Sequence, residues 1–172
     1  MTGQHGFPVS APPARPAPPR GLLGGLLRIP VHLYHAGLGF LLGRRFLLLA
    51  TTGRRTGRRR EAVVEVMHYD YSTREAIVMA GWGARTGWLH NVEAGLAQEV
   101  RIGRERYVPA HRVLDPGEAA AVFADYERRN RLIAPIVRRV ISGLVGWRYG
   151  GSPEARRRVV EQLPLVAFRP RL

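Results

Sequence analysis

The sequence lacks cysteine and lysine, and aromatic residues make up only 8% of its 172 residues. Without cysteine there is no disulfide framework, zinc–cysteine site, iron–sulfur cluster or cysteine nucleophile. Without lysine, every one of the 27 basic residues is arginine, and their excess over 13 acidic residues gives a net charge of +14. Guanidinium groups bind phosphates and carboxylates with paired donors, so this balance favours an anionic partner: nucleic acid, an anionic membrane surface or a polyanionic small molecule.

The sequence also lacks an uninterrupted apolar run that could span a bilayer. Residues 21–43 are apolar, but Arg28, Pro30 and six glycines interrupt them. They predict one or two short helices that pack on the body of the protein, with a peripheral membrane contact as the alternative. Residues 1–20 are proline-rich and predict a disordered tail. No secretory signal is recognisable, so we expect a cytoplasmic protein, with a membrane-associated one as the alternative.

The sequence pattern of residues 44–172 predicts one folded domain that begins with short strands. Apolar or β-branched runs predict strands over residues 46–51, 62–67 and 76–80. A short helix is expected over residues 84–96. Strand character resumes over residues 99–114, with Gly103-Arg104 as a two-residue hairpin turn.

The last third of the chain is mostly helical by its pattern. Asp115, Pro116 and Glu118 form a capping-box arrangement that begins a helix. A second helix is expected over residues 131–145, with Leu132, Ile136, Val140 and Leu144 on one stripe. Ser152-Pro153 begins a third helix, and residues 165–168 form a terminal strand.

The most distinctive local feature is a basic, glycine-bracketed loop after the first strand. Residues 51–60 read TTGRRTGRRR, with five arginines in the last seven positions. The glycines let the backbone approach a ligand, while Thr56 and the arginines supply donors for phosphate oxygens. The alternative interpretation is an ordinary solvated hairpin turn.

A second feature lies where the third strand ends. Residues 79–91 read MAGWGARTGWLHN, a strand end followed by a glycine-rich turn and a helix start. Backbone N–H groups at such a turn can bind an anion or a ring carbonyl, and tryptophan can line a flat aromatic ligand. The alternative is that Trp88 packs in the core.

Together these two motifs, TTGR-x-[ST]-G-x-x-R and W-x-x-N-[LV] at residues 88–92, resemble the deazaflavin-dependent nitroreductase family, whose members use coenzyme F420. The resemblance covers about residues 45–114, and the closing segment PLVAFRP is similar to the family's last strand. It implies an α+β fold, a split β-barrel of the FMN-binding type with flanking helices.

The resemblance also implies where the cofactor binds. Its phosphate and polyglutamate tail would meet the basic loop, its ring would lie beside the strand that follows the loop and the end of the third strand, and the helix start would cover the phosphate side. The corresponding positions are Arg54, Arg55, Thr56, Arg60, Ala62, Val63, Val64, Met79, Ala80, Gly81, Trp82, Gly87, Trp88, Leu89, His90 and Asn91.

The chemistry that the resemblance implies is hydride transfer between F420 and an unsaturated or nitro-type small organic substrate. The cofactor carries this chemistry, so neither a nucleophile nor a metal is expected. The residues that perform catalysis stay unassigned; candidate proton donors are His90, Tyr126 and Tyr149.

Two other functions remain open. Within the same fold, the chain could bind FMN or another ligand without strong catalysis. From a different class, a basic nucleic-acid-binding module would explain the charge, but it predicts aromatic residues interleaved with arginines on a sheet face. The arginines here cluster in a turn instead, so we expect no nucleic-acid partner. Split barrels often pair, and a homodimer is therefore expected by analogy.

Overall fold

The computed structural model describes residues 43–171. The expected tail at residues 1–20 and the apolar segment at residues 21–43, apart from Gly43, lie outside the described residues. Within the described part of the chain, no helix is both long and apolar enough to cross a bilayer.

Seven antiparallel strands form one sheet in the order β5-β4-β1-β2-β3-β7-β6. The two end strands, β5 and β6, follow one another in the chain, and β4 also contacts β6, so the sheet closes on itself. This is the expected split β-barrel. The strands are β1 (Phe46–Thr52), β2 (Arg59–Asp70), β3 (Glu75–Met79), β4 (Ala97–Ile102), β5 (Glu105–Tyr107), β6 (Pro109–Val113) and β7 (Leu165–Pro170).

Strands β3 and β7 are buried on both faces because helices cover the outside of the barrel there. Along β3, Val78 packs in the barrel interior while Ile77 packs under the helices. Along β7, Phe168 and Val166 face inward and Leu165 faces the helices. The alternation follows the two-residue period of a strand. The helices are α1 (Gly87–Glu93), α2 (Pro116–Arg129), α3 (Ala134–Val145) and α4 (Pro153–Gln162).

The start of α2 confirms that Asp115 caps the helix, but the role expected for Glu118 is wrong. The Asp115 side chain accepts hydrogen bonds from the backbone N–H groups of Gly117 and Glu118. Glu118 was expected to complete a capping box, but its carboxylate instead binds both terminal nitrogens of the Arg112 guanidinium at 2.7 Å. A bidentate, charge-assisted pair is stronger than a single hydrogen bond to a backbone N–H.

Two helices differ from their expected extent. The helix expected over residues 84–96 is a 3₁₀ turn at Gly83–Arg85 followed by α1, which ends before Gly95. Gly95 has a φ of +74°, the left-handed conformation that ends a helix. The helix expected over residues 131–145 begins as a 3₁₀ turn, Arg131–Ile133, and becomes α3 at Ala134.

Candidate functional site

A groove lies between the basic loop, the start of β2 and the first turn of α1, with a volume of about 370 Å³. We call it the basic groove. Its lining residues are Thr51, Gly53, Arg54, Arg55, Thr56, Arg60, Glu61, Ala62, Gly87, Trp88 and Asn91.

The loop that forms one wall is held by its own backbone. The N–H of Gly53 donates to the carbonyl of Arg58 at 2.8 Å, and the N–H of Gly57 donates to the carbonyl of Gly53 at 2.8 Å. Gly57 has a φ of +64°, which favours glycine. A Cβ on Gly53 would lie 2.8 Å from the Thr56 hydroxyl oxygen and 3.3 Å from the Arg58 carbonyl oxygen, so a larger residue there would displace the Thr56 side chain and crowd the loop backbone. The loop is therefore shaped before any ligand binds.

Asn91 fastens this loop to α1. Its side-chain amide donates to the Thr51 hydroxyl at 2.9 Å, and its carbonyl oxygen accepts from the backbone N–H of Arg54 at 3.2 Å. Both Asn91 and Thr51 are buried. The asparagine of the W-x-x-N motif thus connects the two motifs, which are far apart in sequence.

The charge of the groove is strongly positive. Arg54, Arg55 and Arg60 are exposed, and none of them makes an ion pair within residues 43–171. The carboxylate in the groove, Glu61, accepts a hydrogen bond from Arg59 at 2.9 Å, so it is already paired. The unpaired guanidinium groups attract an anion and can bind its oxygens with paired donors.

A second cavity of about 300 Å³ lies between β2, the end of β3 and helix α3. We call it the apolar pocket. Ala62 lines the basic groove, and Val64, which lies roughly 7 Å further along the same face of β2 at 3.3 Å per residue, lines the apolar pocket. The lining residues of the apolar pocket are Arg45, Val64, Glu65, Met67, Met79, Gly81, Tyr126, Ile133, Ile136, Val137, Val140, Ile141 and Leu144.

Polar groups stand at one side of the apolar pocket. The Tyr126 hydroxyl donates to a Glu65 carboxylate oxygen at 2.9 Å, and Arg45 lies 3.3 Å from the same oxygen. Burial, and then the charge and hydrogen bond of Glu65, raise the pKa of Tyr126 well above its ordinary value. The phenol therefore keeps its proton throughout the physiological range.

The structure brings half of the expected cofactor-binding positions together in the basic groove. Three more, Val64, Met79 and Gly81, line the apolar pocket. The groove contains Arg54, Arg55, Thr56, Arg60, Ala62, Gly87, Trp88 and Asn91.

The remaining expected positions line neither cavity. Ala80 and Leu89 are buried in the barrel core, and Val63 packs on the opposite face of β2 with Leu48. Trp82 is partly exposed in the turn after β3. The Nδ1 atom of His90 lies 3.5 Å from a Glu93 carboxylate oxygen.

Of the three candidate proton donors, Tyr126 alone lines the apolar pocket. Tyr149 is buried elsewhere, and its hydroxyl donates to Glu127 at 2.9 Å. Burial and the Glu127 carboxylate raise the pKa of Tyr149 above its ordinary value. This tyrosine belongs to the packing of the helices rather than to either cavity.

Several residues that line the two cavities are not among the cofactor-binding positions expected from the sequence. In the basic groove these are Thr51, Gly53 and Glu61, all of which lie in or beside the quoted loop motif. In the apolar pocket the largest omission is α3, whose residues Val137 and Ile141 line the cavity. The sequence feature that could have indicated this role is that α3 is apolar on more than one side.

The donor set fits a phosphorylated, carboxylated cofactor of the F420 kind. Three guanidinium groups and a threonine hydroxyl match phosphate and carboxylate oxygens. Trp88 supplies an aromatic wall, and the adjoining apolar pocket offers Val64 and Met79 for a flat ring. No group of three or more metal-ligating side chains occurs among residues 43–171.

Comparisons with solved structures find matches at low sequence identity. One, described as an F420-H2 dependent reductase (FDR-A), is 15% identical over 74% of this chain and 96% of its own, with a TM-score of 0.42. Another is a pyridoxamine 5'-phosphate oxidase-related, FMN binding protein from Nostoc punctiforme PCC 73102. It is 14% identical over 88% of this chain and 81% of its own, with a TM-score of 0.43.

A third, from Clostridium acetobutylicum, is described as related to general stress protein 26 of the pyridoxinephosphate oxidase family. It is 8% identical over 81% of this chain and 84% of its own, with a TM-score of 0.44. No curated protein sequence matches the chain.

The family comparison is more specific. The family model of the F420H(2)-dependent quinone reductases matches residues 27–134, which is more than half of the chain. The matched range includes the whole basic groove and the β2 and β3 residues of the apolar pocket. The chain therefore belongs to the F420H2-dependent quinone reductase family and is an oxidoreductase that uses coenzyme F420.

Proposed function

We propose that the basic groove binds the phosphate and the acidic tail of F420, and that the apolar pocket receives the deazaflavin ring together with the substrate. The observation that carries this proposal is that alternate residues on one face of β2 line the two cavities, Ala62 the basic groove and Val64 the apolar pocket. A ligand that is polyanionic at one end and flat and apolar at the other matches a surface with the same two halves.

The proposed substrate is a small unsaturated or nitro-type organic molecule, and a quinone is the member of this class that the family name suggests. When bound, reduced F420 supplies a hydride to an electrophilic centre. The pocket wall of valine, methionine and isoleucine side chains excludes water and accepts a flat ring. The pocket volume, about 300 Å³, is at the lower end for ligand pockets, which favours a small substrate.

Reduction by hydride leaves a negative charge on the substrate, and the product needs a proton. Tyr126 holds a proton at its hydroxyl oxygen on the wall of the apolar pocket. We infer that this phenol donates the proton and then regains one from solvent, while Glu65, which accepts its hydrogen bond at 2.9 Å, holds the hydroxyl at the pocket wall. Arg45, whose guanidinium lies 3.3 Å from the same Glu65 oxygen, balances the negative charge on this side of the pocket.

A binding experiment tests the assignment of the groove. Oxidised F420 is titrated into the full chain while tryptophan fluorescence is followed, since Trp88 lines the groove. We expect micromolar affinity, and a loss of about 100-fold in the variant Arg54→Ala/Arg55→Ala, at about tenfold for each charge-assisted contact.

The matched control removes the same charge elsewhere. Arg157 lies exposed on α4 and Arg171 follows β7, and neither lines the groove. The variant Arg157→Ala/Arg171→Ala is expected to bind F420 within about twofold of the wild type. An equal loss in both double variants would show that net charge, rather than the groove, sets the affinity. Preferential binding of FMN or of an oligonucleotide would overturn the proposal.

A further inference from the structure

A row of exposed apolar side chains runs along α3 and the 3₁₀ turn before it. Leu132, Ile136 and Val140 are 92%, 63% and 55% exposed, respectively. Their four-residue spacing places them on one side of the helix. A single exposed apolar residue is ordinary, but three in a row at helical spacing form a patch that is typical of an interaction surface. We call these three residues the α3 row.

The α3 row is continuous with the apolar pocket. Ile136 and Val140 belong to both, since they line the pocket and are also more than half exposed. The pocket therefore has an apolar rim that faces outward. A lipophilic molecule that contacts the rim therefore contacts Ile136 and Val140, which also line the pocket.

The charged side chains of the segment that carries the α3 row are all positive, and the Glu65 carboxylate that lines the adjoining pocket is paired with Arg45 at 3.3 Å. Residues 131–145 contain no acidic side chain but include Arg131, Arg138 and Arg139. Arg131 and Arg139 are exposed, and neither forms an ion pair within the described part of the chain. This arrangement matches the surface of an anionic bilayer, because arginine side chains can bind the lipid phosphates while the exposed apolar side chains contact the acyl chains beneath them.

We propose that the α3 row docks on an anionic lipid bilayer, and that lipophilic electron acceptors enter the apolar pocket from the lipid. The second part rests on the proposed function, whereas the first does not. A second copy of the chain is a poorer occupant because a stable protein interface buries roughly 800 Å² on each partner, far more than three side chains supply. Two arginine-edged faces would also repel one another.

Vesicle binding by the full chain tests the docking directly. Vesicles of phosphatidylcholine with one-third phosphatidylglycerol are compared with pure phosphatidylcholine vesicles in a sedimentation assay, without F420 or substrate. We expect binding to the anionic vesicles that weakens as salt is raised. The variant Leu132→Asp should bind about tenfold more weakly, and Arg131→Gln/Arg139→Gln about 20-fold more weakly, near fivefold for each arginine.

Matched controls come from exposed residues outside α3. Val113→Asp changes an exposed valine on β6, and Arg157→Gln/Arg171→Gln removes the same charge as the arginine variant. Both should bind vesicles within about twofold of the wild type. Leu132 is almost fully exposed and lines neither cavity, so Leu132→Asp should fold and bind F420 as the wild type does.

The outcomes separate this proposal from the proposed function. Loss of vesicle binding in Leu132→Asp, with unchanged F420 affinity, supports docking through the α3 row. Absence of vesicle binding, equal binding to both vesicle types, or undiminished binding by Leu132→Asp each overturns it. A change of sedimentation mass in Leu132→Asp would assign the row to a second copy and overturn it also. Failure of the wild type to bind F420 would count against the proposed function alone.

Discussion

Replacing Asn91 with leucine tests whether one buried side chain joins the basic loop to α1. Leucine is close to asparagine in size and keeps the site filled, but it can neither donate nor accept a hydrogen bond. The Thr51 hydroxyl would lose its 2.9 Å donor, and the Arg54 N–H would lose its 3.2 Å acceptor. The change therefore removes two hydrogen bonds without opening a large cavity.

The loss of stability depends on how buried the Thr51 hydroxyl and the Arg54 N–H are once they have lost their partner. Thr51 is 1% exposed, so its hydroxyl cannot turn to water, and a buried unsatisfied group costs about 1–3 kcal/mol. The Arg54 N–H lies near the surface, where water compensates in part, so its loss costs about 1 kcal/mol. We expect Asn91→Leu to lower the free energy of unfolding by about 2–4 kcal/mol and the Tm by roughly 5–15 °C.

Thermal and chemical unfolding, followed by far-ultraviolet circular dichroism, measure this loss. A double-mutant cycle with Thr51→Val isolates the contact, because the second substitution removes the partner that the first leaves unsatisfied. The double variant should be more stable than the sum of the single changes predicts, by about 1 kcal/mol. Strict additivity, or a loss below about 0.5 kcal/mol in Asn91→Leu, would refute the reasoning.

Three further predictions concern other parts of the molecule. Tyr126→Phe should lower kcat for reduction by at least about 100-fold while leaving F420 affinity unchanged, as measured by turnover and titration. Gly83→Ala should destabilise the fold by about 3 kcal/mol or more, as measured by denaturant unfolding. The new Cβ would lie 2.3 Å from the Gln162 carbonyl oxygen, and the φ of +52° at this position is itself unfavourable for alanine. Hydrogen bonds from Ser72 lower the pKa of Asp70 to about 2, so their stabilising effect is present above about pH 4 and is lost as the pH falls through 2; Ser72→Ala should raise that pKa in an NMR titration.

The strands were predictable because each carries a local pattern. The hairpin at Gly103-Arg104 is an example: Ile102 pairs with Glu105 across it, as the two-residue turn required. The N-cap at Asp115 was predictable for the same reason. The partner of Glu118, however, is Arg112, which approaches from β6, so sequence spacing along the helix carries no information about it.

The basic groove was largely predictable, whereas the apolar pocket was not. The groove is built from two motifs whose residues are contiguous, and Asn91 lies in one of them. The pocket depends on where α3 lies relative to β2 and β3, a tertiary arrangement that no local pattern specifies. Likewise, the stripe expected along Leu132, Ile136 and Val140 does exist, but the structure leaves much of it exposed, because periodicity identifies a face and not its partner.

The most direct test of the account compares intact F420 with its deazaflavin core, which lacks the phosphate and the acidic tail. Both ligands are titrated into the wild type and into Arg54→Ala/Arg55→Ala. If the basic groove binds the anionic end, the wild type will bind intact F420 about 1,000-fold more tightly than the core, at about tenfold for each of Arg54, Arg55 and Arg60, and the arginine variant, which keeps Arg60, will retain a preference of only about tenfold. Equal affinity of the wild type for both ligands would contradict the account.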